Sequence, residues 1–319
     1  MPLPPMTGDR PTRWLKTYRT EIAASSSSVM STLVAFPLDS VKSRMQTYKF
    51  NSVANCISHT YKTEGVKGFT RGVAAPMASI TFVRTLAFSI YQKSKYTYSA
   101  WFEKATGKAP LVIVNTPGSY PTLSTVACFG AAGATSGALV TAISCPFEFT
   151  KLSAQISELM ASTKTSPDDV VRSSYQRMGT VRTAKNIIKH RGVLGLYSGF
   201  RLHLLRDTLG TAIYFMTYES MKQVSVTKTN ANSPTSPLAV VIAGGLCGLI
   251  YPIDSAKSIY QRNCLTHGRD KIVKKTKIQF FNKRMYRGLG VSMARSCVLN
   301  ATFFSSFELI KKWVNNLDD

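Results

Sequence analysis

Acidic residues are scarce in this chain of 319 residues: 16 Asp and Glu stand against 40 Lys and Arg, a formal net charge of +24. Such a balance implies an anionic partner, whether nucleic acid, anionic lipid or an anionic solute. The lysines are spread around apolar segments with no stacking motif among them, so nucleic acid is not expected. The six cysteines (56, 128, 145, 247, 264 and 297) form no CxxC pair and share no metal-ligand spacing with the four histidines, so buried thiols are the default and no metal is expected. There is no Ser/His/Asp constellation and no glycine-rich phosphate loop, which argues against an enzyme and against a resident cofactor. The opening MPLPPMTGDRPTRWLK lacks the apolar run of a secretory signal and is too proline-rich for a transit peptide. Residues 1–19 therefore read as a tail, with no cleavable presequence.

Charge of either sign is also missing from three long stretches. A mean hydropathy of −0.02 suggests a soluble protein. Yet no charged residue lies between Glu21 and Asp39, between Lys108 and Glu148, or between Lys228 and Asp254. Those gaps have the length needed to cross a hydrocarbon layer of about 30 Å.

Each gap ends on the same pattern. FPLDSVKSRMQ begins at 36, CPFEFTKLSAQ at 145 and YPIDSAKSIYQ at 251. Counting from the proline, an acid stands at +2, a Lys at +5 and a Gln at +9. The sets are Pro37, Asp39, Lys42, Gln46; Pro146, Glu148, Lys151, Gln155; and Pro252, Asp254, Lys257, Gln261. Three matches in register are an internal repeat. A second landmark follows, at Gly72, Gly199 and Gly288, lying 35, 53 and 36 residues after the prolines. The middle unit thus carries an insertion, placed in the Ser/Thr-rich stretch 157–177, which reads as a loop. Nineteen residues past each glycine stands an aromatic residue, with a Lys four further on: Tyr91, Gln92, Lys95; Tyr218, Glu219, Lys222; Phe307, Glu308, Lys311.

Six apolar spans result, two per repeat: about 20–46, 72–97, 122–155, 199–223, 236–262 and 288–313. The second set is interrupted by Arg84 and flanked by Arg206, Asp207 and Arg295. An ionisable residue in a span is costly and faces a cavity or a partner. Small residues 13 and 9 positions before each proline (Ala24 and Ser28, Gly133 and Gly137, Ala239 and Ala243) have a spacing that lets helices approach closely in lipid.

The triplicated Pro-x-[Asp/Glu]-x-x-[Lys/Arg] pattern with its later glycine resembles the mitochondrial carrier family, from about residue 20 to 313. The resemblance implies an all-α membrane protein of the mitochondrial inner membrane: one domain of three repeats (about 20–105, 120–228 and 236–314), six tilted transmembrane helices and three short matrix helices in pseudo-threefold symmetry. It implies a monomer that exchanges a small solute by alternating access. Asp39, Lys42, Glu148, Lys151, Asp254 and Lys257 would close the matrix side as a ring of ion pairs, braced by Gln46, Gln155 and Gln261. Gln92, Lys95, Glu219, Lys222, Glu308 and Lys311 would close the cytoplasmic side with two ion pairs and one weaker hydrogen bond, because Gln92 stands where an acid is expected. The turns at Gly72, Gly199 and Gly288 resemble the family's cardiolipin sites. EGVKGFTRG at 64 is close to the usual form, whereas RGVLGLYSG at 191 and FFNKRMYRG at 280 depart from it.

Superposing the second spans on their glycines places Ser79, Arg206 and Arg295 at +7, the family's substrate position, with Asp207 at +8, His203 at +4 and Arg84 at +12. Two arginines facing one cavity suit a carboxylate. With Asp207 as a direct ligand the substrate is a zwitterion of the carnitine or amino acid type. With Asp207 only neutralising Arg206 it is a di- or tricarboxylate. A membrane adaptor without transport is a third reading, disfavoured by the complete matrix-side pattern. His203 is either a protonatable cavity residue or a packed one.

Overall fold

Glycine and proline decide where the long helices begin, bend and break. The structure is a computed structural model that describes residues 19–116, 118–162, 180–229, 237–266 and 276–315. Every regular element among them is helical. In the first repeat, α1 (Arg19–Thr47) carries Pro37 inside it, α2 (Val53–Glu64) follows, and α3 (Ala74–Thr106) returns. The second repeat has α5 (Leu123–Ser162) with Pro146 inside, α6 (Thr180–Arg191) and α7 (Phe200–Thr229). An interior proline removes a helical hydrogen bond and bends the axis.

The third repeat differs. Its first long segment is broken into α8 (Pro237–Leu246), a 3-10 turn (Cys247–Ile250) and α9 (Tyr251–Thr266). Gly244, Gly245 and Gly248 crowd in just before Pro252, and glycine is the poorest helix former after proline. The uninterrupted span expected at 236–262 is therefore two helices on a tight joint. The last helix is α10 (Leu289–Asn315).

Three further differences from expectation have local causes. A short helix, α4 (Pro110–Asn115), joins the first two repeats, started by a proline at its first position. The stretch 157–177 is not all loop, because α5 runs on to Ser162; the rest of the insertion lies outside the described residues. Between α9 and α10 the described residues hold only a 3-10 turn, Lys283–Tyr286, where the resemblance implied a third short helix.

Neighbouring helices pack against one another from the first repeat to the third. α5 packs against both α3 and α7, α7 against α8, and α1 against α10, so first and last meet. Small residues allow this. A Cβ on Gly133 would lie 2.6 Å from the Thr211 carbonyl oxygen, and one on Gly137 would lie 2.5 Å from that of Asp207. The expected close approach is thus present between α5 and α7. In α1 Ala23, Ser27 and Ser31 are buried and Ser28 is half-buried, while the side chain of Ala24 lies outside the described residues. Large apolar side chains such as Leu33, Phe82, Phe88, Leu139 and Leu309 point outward, as lipid-facing residues do. Leu123–Ser157 is long and apolar enough to cross a membrane by length and composition.

Candidate functional site

At the bends the three repeats meet. An acid at +2 and a Lys at +5 lie one turn apart on the same helix face, so each helix offers its acid to one neighbour and its base to the other. Lys151 Nζ lies 2.6 Å from Asp39 Oδ2, Lys257 Nζ 2.5 Å from Glu148 Oε2, and Lys42 Nζ 2.8 Å from Asp254 Oδ2. These pairs link repeats one to two, two to three and three to one. One turn on, Gln46 Nε2 donates to Asp254 Oδ2 at 2.9 Å. Gln261 donates instead to the Ser198 carbonyl at 3.1 Å. Gln155 is buried with no hydrogen-bond partner among the described residues.

The glycines lock the same level. Gly72, Gly199 and Gly288 adopt φ of 90°, 83° and 85°, which L side chains rarely adopt. A Cβ on Gly72 would sit 3.0 Å from the Lys151 carbonyl oxygen, one on Gly199 2.9 Å from Gln261 Cγ, and one on Gly288 2.9 Å from the Tyr251 hydroxyl. Gly72 and Gly199 thus precede the second helix of their repeats while touching the first helix of the next; Gly288 meets Tyr251 of its own repeat first, with Met45 Cβ of α1 at 3.4 Å.

The substrate-level residues join this ring rather than standing apart from it. On α7, the Arg206 guanidinium pairs with Asp207; its Nε is 3.3 Å from Asp254 Oδ1 and its Nη1 3.8 Å from Glu148 Oε1. Asp207 Oδ2 accepts from Thr141 Oγ1 at 3.0 Å. His203 is fully buried, its Nε2 3.1 Å from both Asp207 Oδ2 and Glu148 Oε2. On α10, Arg295 Nε pairs with Asp39 Oδ1. Every ring carboxylate thus touches one ring lysine and at least one group from α7 or α10.

Two cavities flank the network. One, of about 210 Å³, is lined by Thr32, Asp39, Ser79, Glu148, Lys151 and Arg295. The other, of about 810 Å³, has Arg206, Asp207 and Cys247 in its wall and lies between α7, the α8–α9 joint and α10. Ser79 is buried, with its hydroxyl donating to the Ala75 carbonyl of its own helix at 3.1 Å. The side chains of Arg84, Glu308 and Lys311 lie outside the described residues. Lys95 Nζ stands 3.9 Å from Glu219 Oε1, and Gln92 and Lys222 are half-buried.

Some residues at the site were not anticipated. Thr32, Thr141 and Cys247 each precede their proline by five residues. Thr32 and Cys247 line the two cavities and Thr141 binds Asp207. The repeat register alone would have singled them out. Tyr91, noted only as an aromatic landmark, donates its hydroxyl to Glu219 Oε1 at 3.0 Å and stacks on Phe215.

Comparison with known proteins fits this geometry. The family model described as "Mitochondrial carrier protein" matches residues 13–100 and 122–229. The chain is 32% identical to the mitochondrial ornithine transporter 1 of Schizosaccharomyces pombe over 298 residues, covering 91% of each. It is 27% identical to a mitochondrial arginine transporter of Arabidopsis thaliana, covering 92% of this chain and 91% of the relative. With the human mitochondrial carnitine/acylcarnitine carrier protein the identity is 28%, over 92% of this chain and 93% of the relative. The chain belongs to the mitochondrial carrier family, and is a multi-pass transporter of the mitochondrial inner membrane, not an enzyme.

Proposed function

We propose that this carrier exchanges a carboxylate-bearing zwitterion of the amino acid or carnitine type, by alternating access through the network of Arg206, Asp207 and Arg295. The carrying observation is the grouping of charges there: beside the three lysine–acid pairs stand two arginines, Arg206 and Arg295, with one further carboxylate, Asp207. The arginines suit a carboxylate, and the further carboxylate gives a cationic group its partner, which a di- or tricarboxylate does not need. Asp207 then receives the substrate's ammonium or quaternary ammonium. The relatives named above carry ornithine, arginine and carnitine in their names, in keeping with this class.

In this reading six tilted spans cross the bilayer: α1, α3, α5, α7, α8 with α9, and α10. Short helices lie on the matrix side, and the ring of three ion pairs closes the matrix end. Gln92, Lys95, Glu219, Lys222, Glu308 and Lys311 close the other end in the alternate state. Gln46 braces one ring pair; Gln155 and Gln261 take up that role elsewhere in the cycle. The glycine turns at 72, 199 and 288 bind cardiolipin headgroups at helix N-termini, and the protein works as a monomer.

Coupling follows from the shared arginines. A substrate carboxylate on Arg295 and Arg206 competes with Asp39 and Asp254 for the same guanidinium groups. Substrate binding thereby removes one cation from each of two ring acids. A ligand shifts such an equilibrium only by its differential affinity for the two states, and this competition supplies it.

The test is counter-exchange in liposomes loaded with ornithine, arginine, carnitine, citrate or malate. Exchange of ornithine, arginine or carnitine that needs Arg206, Asp207 and Arg295 supports the reading. Exchange confined to citrate or malate, and indifferent to Asp207→Asn, overturns it.

A further inference from the structure

We propose that Arg71, Arg191 and Arg262 form a second closure ring beneath the acid–lysine ring, each strapping its own repeat to the first helix of the next. Arg71 Nη1, in repeat one, donates to Ser157 Oγ on α5 at 3.3 Å. Arg191 Nη1, in repeat two, donates to the Cys264 carbonyl on α9. Arg262 Nη1, in repeat three, donates to the Thr47 carbonyl at the end of α1. The contacts run one to two, two to three and three to one, so they close a circle.

The three acceptors occupy nearly the same place. They stand 11, 12 and 10 residues after Pro146, Pro252 and Pro37, just past the glutamines at +9. The three donors are not equivalent. Arg71 immediately precedes Gly72, Arg191 lies eight residues before Gly199, and Arg262 stands ten after its own proline. Convergence of unrelated positions on one level is not what symmetry inherited from a repeat would produce.

The chemistry of each strap follows the local helix. α1 ends at Thr47 and α9 ends at Thr266, so their last carbonyls lack helical partners and lie at the negative end of the dipole. A guanidinium suits them. α5 continues to Ser162, so its carbonyls at this level are used within the helix, and the acceptor is a hydroxyl instead. Two straps carry a further anchor. Arg71 Nη1 is 3.0 Å from Glu64 Oε2, and the Arg262 guanidinium lies 5.2 Å from the Tyr48 ring centroid.

The motif departures explain why this arrangement matters. In repeat one, Arg44 is fully buried against Glu64 at 2.7 Å, holding the matrix segment in place. Repeats two and three have Ser153 and Ile259 in place of Arg44, and Arg191 and Phe280 in place of Glu64. They cannot make that pair. Arg191 and Arg262 replace an internal tie with ties between repeats. Opening toward the matrix separates the ends of α1, α5 and α9, so all three straps must break with the ring. They are positioning residues for the matrix-closed state. This rests on the reading that the acid–lysine ring is the matrix barrier.

Ser43 lines a cavity of about 80 Å³ bounded by the ring residues and by Gln46, Gln155 and Gln261. The test places Ser43→Cys in the purified full-length carrier and follows its labelling by a membrane-impermeant methanethiosulfonate, read by peptide mass spectrometry. Arg191→Ala and Arg262→Ala should each raise the labelling rate about tenfold, the size of one hydrogen bond to a charged group. Arg182→Ala, which removes an exposed charge from α6, should not. Native Cys128, buried near Lys95 at the other end, should stay unlabelled throughout. If an alanine variant does not purify as a single species, Arg→Lys at the same position keeps the charge without the fork and should raise the rate severalfold. An unchanged rate in the strap variants beside a raised rate in Lys151→Ala overturns the straps alone. An unchanged rate in Lys151→Ala as well overturns the barrier reading, and the straps with it. A parallel rise at Cys128 means general loosening and also overturns the proposal.

Discussion

Replacing Asp207 by Asn removes the one carboxylate proposed to receive the substrate's cationic group and leaves the rest of the site nearly whole. A carboxylate offers about four acceptor positions. Oδ1 faces Arg206, and Oδ2 faces both His203 and Thr141. One position on Oδ1 remains for an ammonium. A hydrogen bond to a charged group is worth roughly 1.5–3 kcal/mol, so the loss should raise KM for ornithine or arginine by roughly 10–150-fold. Maximal exchange should change less, since the interaction serves binding in both states. The fold should survive. Arg206 keeps Asp254 at 3.3 Å, and the amide oxygen still accepts from Thr141, so the stability cost should stay below the roughly 3–5 kcal/mol of a fully broken buried ion pair. The assay is counter-exchange of radiolabelled ornithine in proteoliposomes, with a neutral amino acid of similar size as competitor. Wild type should prefer the cationic solute, and the variant should lose that preference. Retained preference with an unchanged KM would refute the role given to Asp207, whatever happened to the rate.

Gly72→Ala forces a left-handed φ on an L residue and brings a Cβ to 3.0 Å from the Lys151 carbonyl oxygen. A loss of at least about 1–2 kcal/mol is expected, seen as a lowered Tm in detergent. Gly133→Val should be worse, because the backbone of α7 already fills the space a side chain needs; separation of α5 from α7 would appear as poor recovery of a monodisperse protein. The Cys56 thiol, on α2, is pushed up to about 11 by its burial. The thiolate is the reactive form, so at pH 7.5 Cys56 should resist iodoacetamide in the native protein while exposed Cys297 reacts, and Cys56 should become reactive only on unfolding.

The repeat was legible because lipid leaves few alternatives. A proline that bends a helix, an acid and a base one turn apart, and a glycine that must take positive φ admit few substitutes, so they persist in register. That is why α1 and α10 begin and end within two residues of the stretches expected at 20–46 and 288–313. The length of α5 was missed for the opposite reason. Residues 157–162 read SELMAS, whose Glu, Leu, Met and Ala favour a helix, and they prolong one already packed against α3 and α7. The Ser/Thr-rich residues that follow hid that signal. The break before α9 was written in three glycines, but repeat symmetry argued for a continuous helix and prevailed.

The merging of substrate site and ring was hidden by side-chain length. On a helix, +4 and +7 from the glycine are neighbouring turns, and sequence gives no measure of how far an arginine reaches downward. Arg206 reaches two ring carboxylates and Arg295 one. Two sites that look separate on paper therefore share charges. The lower straps are a stronger case. Aligning the repeats compares equivalent positions, and Arg71, Arg191 and Arg262 are not equivalent in any register. What recurs is the acceptor: a helix end, or a hydroxyl where the helix does not end, one to three residues past the glutamine. A carbonyl that lacks a partner leaves no mark on residue identity, because every residue has one. Symmetry of function in this carrier is accordingly wider than symmetry of sequence, and it is found by asking which backbone groups each bent helix leaves unsatisfied.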